Sequence, residues 1–170
     1  MSSDAPRSAG RATGLAVLGL TAAAIVATDQ ATKALVVAGM QVGERIPVLG
    51  DLVVLWHVQN RGAAFSLFQG GMILFYAVTV LALAMIVYFH RALRGQGLWL
   101  QVVLGLILGG TLGNLIDRLR LGHVTDFVSM GIGDLRWPTY NVADASLVLG
   151  ILALVGYLTF ADPRQRGAEA

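Results

Sequence analysis

Four long apolar stretches constrain this chain more than any other feature. They cover residues 13–37, 72–89, 98–116 and 142–160. Each approaches the roughly 20 residues that an α-helix needs to cross about 30 Å of hydrocarbon. With 56% hydrophobic and only 13% charged residues, the chain has too few polar groups to cover a soluble domain of 170 residues. We therefore expect an integral membrane protein, mainly α-helical, built as a four-transmembrane-helix bundle.

The first apolar stretch has a second interpretation. Arg7 and Arg11 precede it, and this arrangement is also typical of a cleavable secretory signal. Cleavage would discard Asp29 and Lys33, which carry the polar end of the stretch. We therefore expect the stretch to be retained, within one membrane-embedded domain at residues 13–160 between flexible termini at 1–12 and 161–170.

Two loops differ in composition from the apolar stretches. Residues 41–68 contain β-forming residues on both sides of Gly50-Asp51, which predicts a hairpin. Residues 122–141 have a similar β-rich composition. Because two spans separate the loops, both lie on the same side of the membrane. The sequence therefore predicts a small β-sheet cradle on one side of the bundle, at the interface or shielded by helices.

The number of basic residues on each side of the membrane does not decide the orientation of the chain. Six of the twelve lysines and arginines lie at the termini and in the loop between the second and third spans, and the other six lie on the β-rich side. If several of the second group are site residues held by acids, the remaining bias favours termini in the cytoplasm. The chain contains no long basic run, so nucleic acid is not an expected partner.

Acidic residues gather on one side of the membrane. Seven of the ten lie on the β-rich side, several of them at helix ends where an unpaired charge is costly. Asp29 and Lys33 are four residues apart and can pair on one helix face, either as an ordinary ion pair or as part of a site. Asn114, Asp117 and Arg118 likewise share the end of the third stretch, as a structural polar cap or as site residues.

Glycines in the third stretch form a repeat. Gly105, Gly109 and Gly113 are spaced by four residues, a pattern that allows another helix to approach closely. We interpret this stripe as a helix-packing surface. Asn114 follows it directly, so tight packing would fix the position of the polar cluster.

Asp126 and Asp144 are the candidate catalytic pair. Asp126 lies in the second β-rich loop, and Asp144 lies near the start of the fourth stretch. If the loop folds over the helix start, the two carboxyls can share one proton and activate water, as in aspartic proteases. The spacing alone leaves a metal site or paired structural acids open.

Other catalytic chemistries find less support. The three histidines, His57, His90 and His123, lie in separate segments, and no pair has the spacing of transition-metal ligands on a helix. The chain has no cysteine, which excludes disulfides and thiolate chemistry. No Gly-x-Ser-x-Gly motif is present, so a serine mechanism is not indicated.

Five blocks of sequence carry a resemblance to a known family. In order they are Asp29-Gln30-Ala31-Thr32-Lys33, Asn60-Arg61-Gly62-Ala63-Ala64-Phe65, Gly109-Gly110-Thr111-Leu112-Gly113-Asn114-Leu115-Ile116-Asp117-Arg118, Gly122-His123-Val124-Thr125-Asp126-Phe127 and Tyr140-Asn141-Val142-Ala143-Asp144. Together they are similar to the lipoprotein signal peptidase family, also called signal peptidase II. Tyr140 is a local difference, since the family often has phenylalanine there.

The resemblance implies an activity and a set of site residues. It implies a membrane aspartic endopeptidase that removes the signal peptide from bacterial prolipoproteins, cutting before a cysteine that carries a diacylglyceryl group. Asp126 and Asp144 match the catalytic pair. The positions that match substrate-binding or supporting residues are Asp29, Lys33, Asn60, Asn114, Arg118 and Asn141. The resemblance implies no metal and no organic cofactor.

The resemblance also implies a location. The protein is expected in the bacterial inner membrane, with cytoplasmic termini and the active site near the periplasmic face. Its expected partners are diacylglyceryl-modified prolipoproteins and membrane lipids, and we expect a monomer.

Two other classes of function fit the composition. A small four-span transporter or proton-conducting protein would also place acids in a helix bundle, but it predicts polar residues through the depth of the membrane. The second and third stretches carry no charge between their ends, and the acids cluster at one side. A membrane scaffold without enzymatic activity gives no reason for polar residues to gather at three helix ends.

Overall fold

The computed structural model describes residues 5–62, 71–93 and 96–160. The helices and strands in chain order are α1 (Ala5–Gly39), β1 (Arg45–Leu49), β2 (Val53–Asn60), α2 (Gly71–Ala92), α3 (Leu98–Leu121), β3 (Val124–Ile132), β4 (Leu135–Arg136) and α4 (Val142–Phe160). Residues 1–4 and 161–170, predicted as parts of flexible termini, lie outside the described residues. So do Ala63, Ala64 and Phe65 of the second sequence block.

All four helices are long and apolar enough to cross a membrane, which confirms the predicted four-span architecture. Three of them extend beyond the predicted bounds, and α2 does so at both ends, from Gly71 to Ala92. α1 begins at Ala5, ahead of the predicted start of the first span. α3 continues past residue 116 to Leu121, so Asp117 and Arg118 lie within the helix. It ends where Gly122 takes a left-handed conformation and its N–H bonds the carbonyl of Arg118.

α3 lies at the centre of the bundle because its glycines let neighbouring helices approach closely. A Cβ atom built on Gly105 would lie 2.6 Å from the Thr21 Cβ of α1, and one on Gly109 would lie 2.7 Å from the Ile25 Cβ. Real Cβ atoms are essentially never so close to another heavy atom. The glycine stripe is therefore a packing surface, as the sequence predicts, and it fixes α1 against the middle of α3.

The two β-rich loops join into one antiparallel sheet with strand order β1-β2-β3-β4. β1 and β2 form the predicted hairpin. β2 also pairs with β3, in a register that places Val58 opposite Asp126 and Asn60 opposite Val124. This pairing confirms a small sheet cradle at one end of the bundle, and it fixes the position of Asp126 relative to the hairpin.

Apolar side chains fill the bundle at the end away from the sheet. The larger buried cluster consists of Leu18, Ile86, Leu93, Leu100, Val103, Leu104, Ile107, Leu154 and Tyr157. A smaller cluster of Val36, Met40 and Phe127 joins α1 to the sheet. Buried charged side chains gather between these two clusters, where α1, α3 and α4 meet β3.

Candidate active site

Asp126 lies on β3 with its side chain almost completely buried, at 1% exposure. Both of its carboxylate oxygens accept hydrogen bonds from amide side chains. Oδ1 accepts one from Asn141 Nδ2 at 2.7 Å, and Oδ2 accepts one from Asn60 Nδ2 at 2.8 Å. Asn60 is itself held by the backbone N–H of Gly62, which donates to its Oδ1 at 2.8 Å. The end of β2 therefore contributes directly to the surroundings of Asp126.

Asp144 lies in the first turn of α4, where it caps the helix together with Asn141. Asn141 Oδ1 accepts the backbone N–H of Asp144 at 2.9 Å, and Asp144 Oδ2 accepts the backbone N–H of Asn141 at 3.2 Å. This reciprocal pair is a capping box, which satisfies backbone donors at a helix start.

Asn141 connects the two carboxylates, and its orientation is determined by its partners. Because its Oδ1 accepts a backbone N–H of Asp144, its Nδ2 must face Asp126 Oδ1 and Asn114 Oδ1, which lies 3.1 Å away. Asn114 is oriented in the same way. Its Oδ1 accepts from Lys33 Nζ at 3.2 Å, so its Nδ2 donates to Asp144 Oδ1 at 2.7 Å.

Lys33 is buried in an ion triad, which we define as Asp29, Lys33 and Asp117. Its Nζ lies 2.8 Å from Asp29 Oδ2 and 3.0 Å from Asp117 Oδ2. The predicted pairing of Asp29 with Lys33 is therefore present, and Asp117 joins it from α3. All three side chains are at least 95% buried. Burial of these charges is tolerated because each acid faces the ammonium group and further N–H donors.

Two residues of this cluster are missing from the predicted site. Asp117 accepts the backbone N–H of Thr125 at 3.0 Å through Oδ2. Gln30 donates to Asp117 Oδ1 at 2.9 Å and to Asp29 Oδ2 at 3.2 Å. Both residues belong to the sequence blocks that carry the family resemblance. The position of Asp117 at the end of an apolar span, where a carboxylate requires a partner, already marks it as a polar cap or a site residue, although it is not among the positions matched to the family's site.

Arg118 lies at the rim of the site and is half-buried. The Arg118 Nη1 donates to the backbone carbonyl of Asn114 at 3.2 Å. The Arg118 guanidinium also lies 4.1 Å from the ring centroid of Phe75 on α2. It interacts electrostatically with the carboxylates of Asp144, Asp126 and Asp117. The structure thus places every predicted site residue in one contiguous region, while their roles in catalysis stay predictions.

Burial changes the acidity of Asp126. Desolvation of its carboxyl group raises the pKa from 3.8 to about 6, and the nearby negative charge of Asp144 acts in the same direction. Hydrogen bonds from Asn60 and Asn141, together with the charge of Lys33, act in the opposite direction. A carboxyl with this pKa can retain a proton at a pH where ordinary surface acids are ionised, which suits acid–base chemistry.

An apolar groove leads away from Asp144 along α4. It has a volume of about 560 Å³, and its lining residues are Met130, Trp137, Tyr140, Asp144, Ala145, Val148 and Leu149. Met130 of β3 and the segment between β4 and α4 form one wall, and α4 forms the other. Within the described ranges, no group of three His, Asp or Glu side chains is arranged to hold a metal ion.

The sequence matches a family model described as signal peptidase (SPase) II over residues 21–160. A lipoprotein signal peptidase from Geobacillus thermodenitrificans is 41% identical over 150 residues, covering 88% of this chain and 94% of the relative. One from Halothermothrix orenii is 42% identical over 134 residues, covering 79% of this chain and 89% of the relative.

The fold is similar to that of a bacterial membrane enzyme solved by the in meso method at 1.9 Å resolution, with a TM-score of 0.76 and 31% identity. The match covers 89% of this chain and 95% of the solved one. A related structure at 2.3 Å resolution gives a TM-score of 0.70 at the same identity. Sequence and fold agree over most of the chain, which belongs to the signal peptidase II family of multi-pass membrane aspartic peptidases.

Proposed function

We propose that this peptidase removes the signal peptide from diacylglyceryl-modified prolipoproteins and cuts just before the lipidated cysteine. The observation that carries the proposal is the pairing of Asp126 and Asp144 through Asn141 at one end of a membrane-spanning bundle. The apolar groove beside Asp144 supports an apolar substrate. Relatives at about 40% identity named lipoprotein signal peptidase support this substrate class.

The proposed chemistry is hydrolysis by a pair of aspartates that shares one proton. The ionised carboxylate takes a proton from water, whose oxygen attacks the scissile carbonyl carbon, while the protonated carboxyl donates to the carbonyl oxygen. The tetrahedral intermediate then collapses as a proton passes to the leaving amine. No bond forms between enzyme and substrate, and the mechanism calls for no metal or organic cofactor.

The amide side chains hold this pair without competing for its proton. Asn60, Asn114 and Asn141 donate N–H groups to the carboxylates, so each lowers the cost of negative charge in a buried site. Arg118 interacts electrostatically with both aspartates, and its proposed role is to stabilise charge that develops on the substrate carbonyl. We assign these four residues to support of the aspartate pair and of the substrate.

The proposed location is the bacterial inner membrane, with both termini in the cytoplasm and the sheet at the periplasmic face. A lipidated cysteine presents its scissile bond near the membrane surface, and the polar cluster lies at the sheet end of the bundle, where such a bond would arrive. Many large apolar side chains are exposed on the helices, as contact with lipid requires; Leu20 is 72% exposed and Leu152 is 64% exposed. We propose that one copy of the chain is sufficient for activity.

Cleavage of a diacylglyceryl-modified precursor by purified enzyme tests the proposal. Asp126→Asn and Asp144→Asn should each leave the protein inserted in the membrane and abolish turnover. Asp134→Asn, which changes an exposed acid in the turn between β3 and β4, serves as the matched control and should cleave at the wild-type rate. Comparable turnover by wild type and either active-site variant would contradict the assignment.

A further inference from the structure

We propose that the ion triad of Asp29, Lys33 and Asp117 is a positioning device that sets the separation of Asp126 and Asp144. The inference rests on the proposed function, because it assumes that these two aspartates perform the reaction. Its basis is that each carboxylate of the triad accepts a hydrogen bond from the backbone N–H of the residue that directly precedes one of the two aspartates. Lys33 then joins the two carboxylates to each other.

The first connection runs from α1 to α4. Asp29 Oδ1 accepts the backbone N–H of Ala143 at 2.9 Å, and Ala143 directly precedes Asp144. Ala143 is fully buried, so its N–H has no access to water. Asp29 thereby supplies an acceptor for an N–H in the first turn of α4 that lacks a partner within the helix. Movement of Asp29 would shift the helix start that carries Asp144.

The second connection runs from α3 to β3. Asp117 Oδ2 accepts the backbone N–H of Thr125 at 3.0 Å, and Thr125 directly precedes Asp126. Thr125 is 1% exposed. The geometry at β3 thus repeats that at α4: a buried carboxylate from a neighbouring helix holds the residue before an aspartate of the pair.

Lys33 links the two connections, because it pairs with both carboxylates. Its Nζ lies 2.8 Å from Asp29 and 3.0 Å from Asp117, and it also donates to Asn114 Oδ1 at 3.2 Å. One ammonium group therefore ties together the supports of α4 and β3. It also orients the Asn114 amide that donates to Asp144. The two aspartates therefore cannot separate without breaking one of the ion pairs of Lys33 or one of the hydrogen bonds that join its two carboxylate partners to α4 and β3.

This positioning should affect the rate of catalysis, because a displacement of about 1 Å in a catalytic group can lower the rate by about 100-fold. Lys33 touches neither the substrate nor the reacting atoms in this account, so it is a positioning residue. Its loss should lower kcat while KM stays close to the wild-type value, since the apolar groove is unchanged. A role limited to stability would lower the melting temperature and leave kcat per folded molecule intact.

Two variants test the device. Lys33→Met removes the bridge but leaves two buried carboxylates without their cation, and this can prevent folding. The second variant combines Asp29→Asn, Lys33→Met and Asp117→Asn. It carries no charge at the three triad positions, and its amide oxygens can still accept the N–H groups of Ala143 and Thr125. Gln101→Leu is the control, because Gln101 lies at the far end of α3, is also buried, and is hydrogen-bonded to His90 of α2.

The pH profile distinguishes positioning from stability. Two interacting carboxyls titrate with two macroscopic pKa values, and the gap between these values narrows as the carboxyls move apart. The charged groups that face the pair are Asp29 and Lys33 from α1 and Asp117 and Arg118 from α3. The triple variant removes the charges of the triad and keeps Arg118. Infrared titration of the carboxyl bands gives the same two pKa values without a measurement of activity.

The expected result is a folded triple variant with kcat lower by about 100-fold and a narrower gap between its two pKa values. The Gln101→Leu variant should match wild type in both measurements. A folded triple variant with wild-type kcat and an unchanged gap would overturn the inference. Failure of wild-type enzyme to cleave a lipidated precursor would instead overturn the proposed function, which the infrared titration does not depend on.

Discussion

Asn141 and Asp144 bond reciprocally at the start of α4, each side chain accepting the backbone N–H of the other residue. Asn141 has a second task, since its Nδ2 donates to Asp126 Oδ1 at 2.7 Å. One residue therefore caps a membrane-spanning helix and links the two carboxylates of the site. These two tasks can be separated by substitution.

Asn141→Ala should destabilise the protein by about 1 kcal/mol through loss of the cap, and should lower kcat by about 100-fold through loss of the link to Asp126. Asn141→Ser retains a good capping residue but has no amide to donate to Asp126. It should unfold close to the wild-type temperature and still show the loss in kcat. Wild-type kcat in Asn141→Ser would show that the amide link is dispensable.

Asn60→Ala should raise the pKa of Asp126 above its value of about 6, because the hydrogen bond from Asn60 holds that pKa down. The alkaline limb of the kcat/KM profile, which reports loss of the proton shared by the pair, should move to higher pH. Gln59→Ala, an exposed neighbour on β2, should leave the profile unchanged. A shift to lower pH in Asn60→Ala would contradict this account of Asp126.

The stability of the protein should depend on the charge of Asp126. Its pKa is about 6 in the folded protein and has an ordinary value of 3.8, so the folded state binds the proton more tightly. The resulting stabilisation is complete below pH 3.8 and is lost as the pH rises through about 6.

Asp126→Asn removes this dependence, so its stability relative to wild type should improve by roughly 2 kcal/mol between pH 4 and pH 8. Thermal unfolding in detergent across this range measures the change. Asp134→Asn should follow the wild-type curve. A constant difference between Asp126→Asn and wild type at all pH values would show that Asp126 titrates normally.

Gly113→Ala should disturb the ion triad directly. A Cβ atom at this position would lie 2.7 Å from Asp29 Oδ2 and 3.1 Å from the Ala143 Cβ. We expect a loss of about 1 to 3 kcal/mol from overpacking, together with lower kcat, because Asp29 holds the start of α4. Gly19→Ala is the control, since nothing lies within 4 Å of its added Cβ. Equal melting temperatures and rates for the two variants would contradict the role of Gly113.

The sequence predicts features that depend on local pattern. Apolar length identifies four helices, and turn residues at Gly50-Asp51 identify the hairpin. The glycine stripe identifies the face of α3 that meets α1. Each of these depends on residues close together in the chain, so periodicity and composition are sufficient to predict them.

The arrangement of the polar cluster could not be predicted in the same way. Asp29 and Ala143 are 114 positions apart, and Gln30 and Asp117 are 87 apart. Their contacts depend on how α1, α3 and α4 pack and on the register between β2 and β3. From the sequence, Asp117 is compatible with a simple helix cap. Only the structure shows that its carboxylate contacts Thr125 and Lys33.

The most direct test of the central claim is cleavage of two precursors that differ only in lipidation of the cysteine, with the products analysed by mass spectrometry. Wild-type enzyme should convert the diacylglyceryl-modified precursor into a product that begins at the lipidated cysteine, and should leave the unmodified precursor intact. Asp144→Asn should cleave neither. Equal cleavage of both precursors by wild type, or turnover by Asp144→Asn comparable to wild type, would contradict the account.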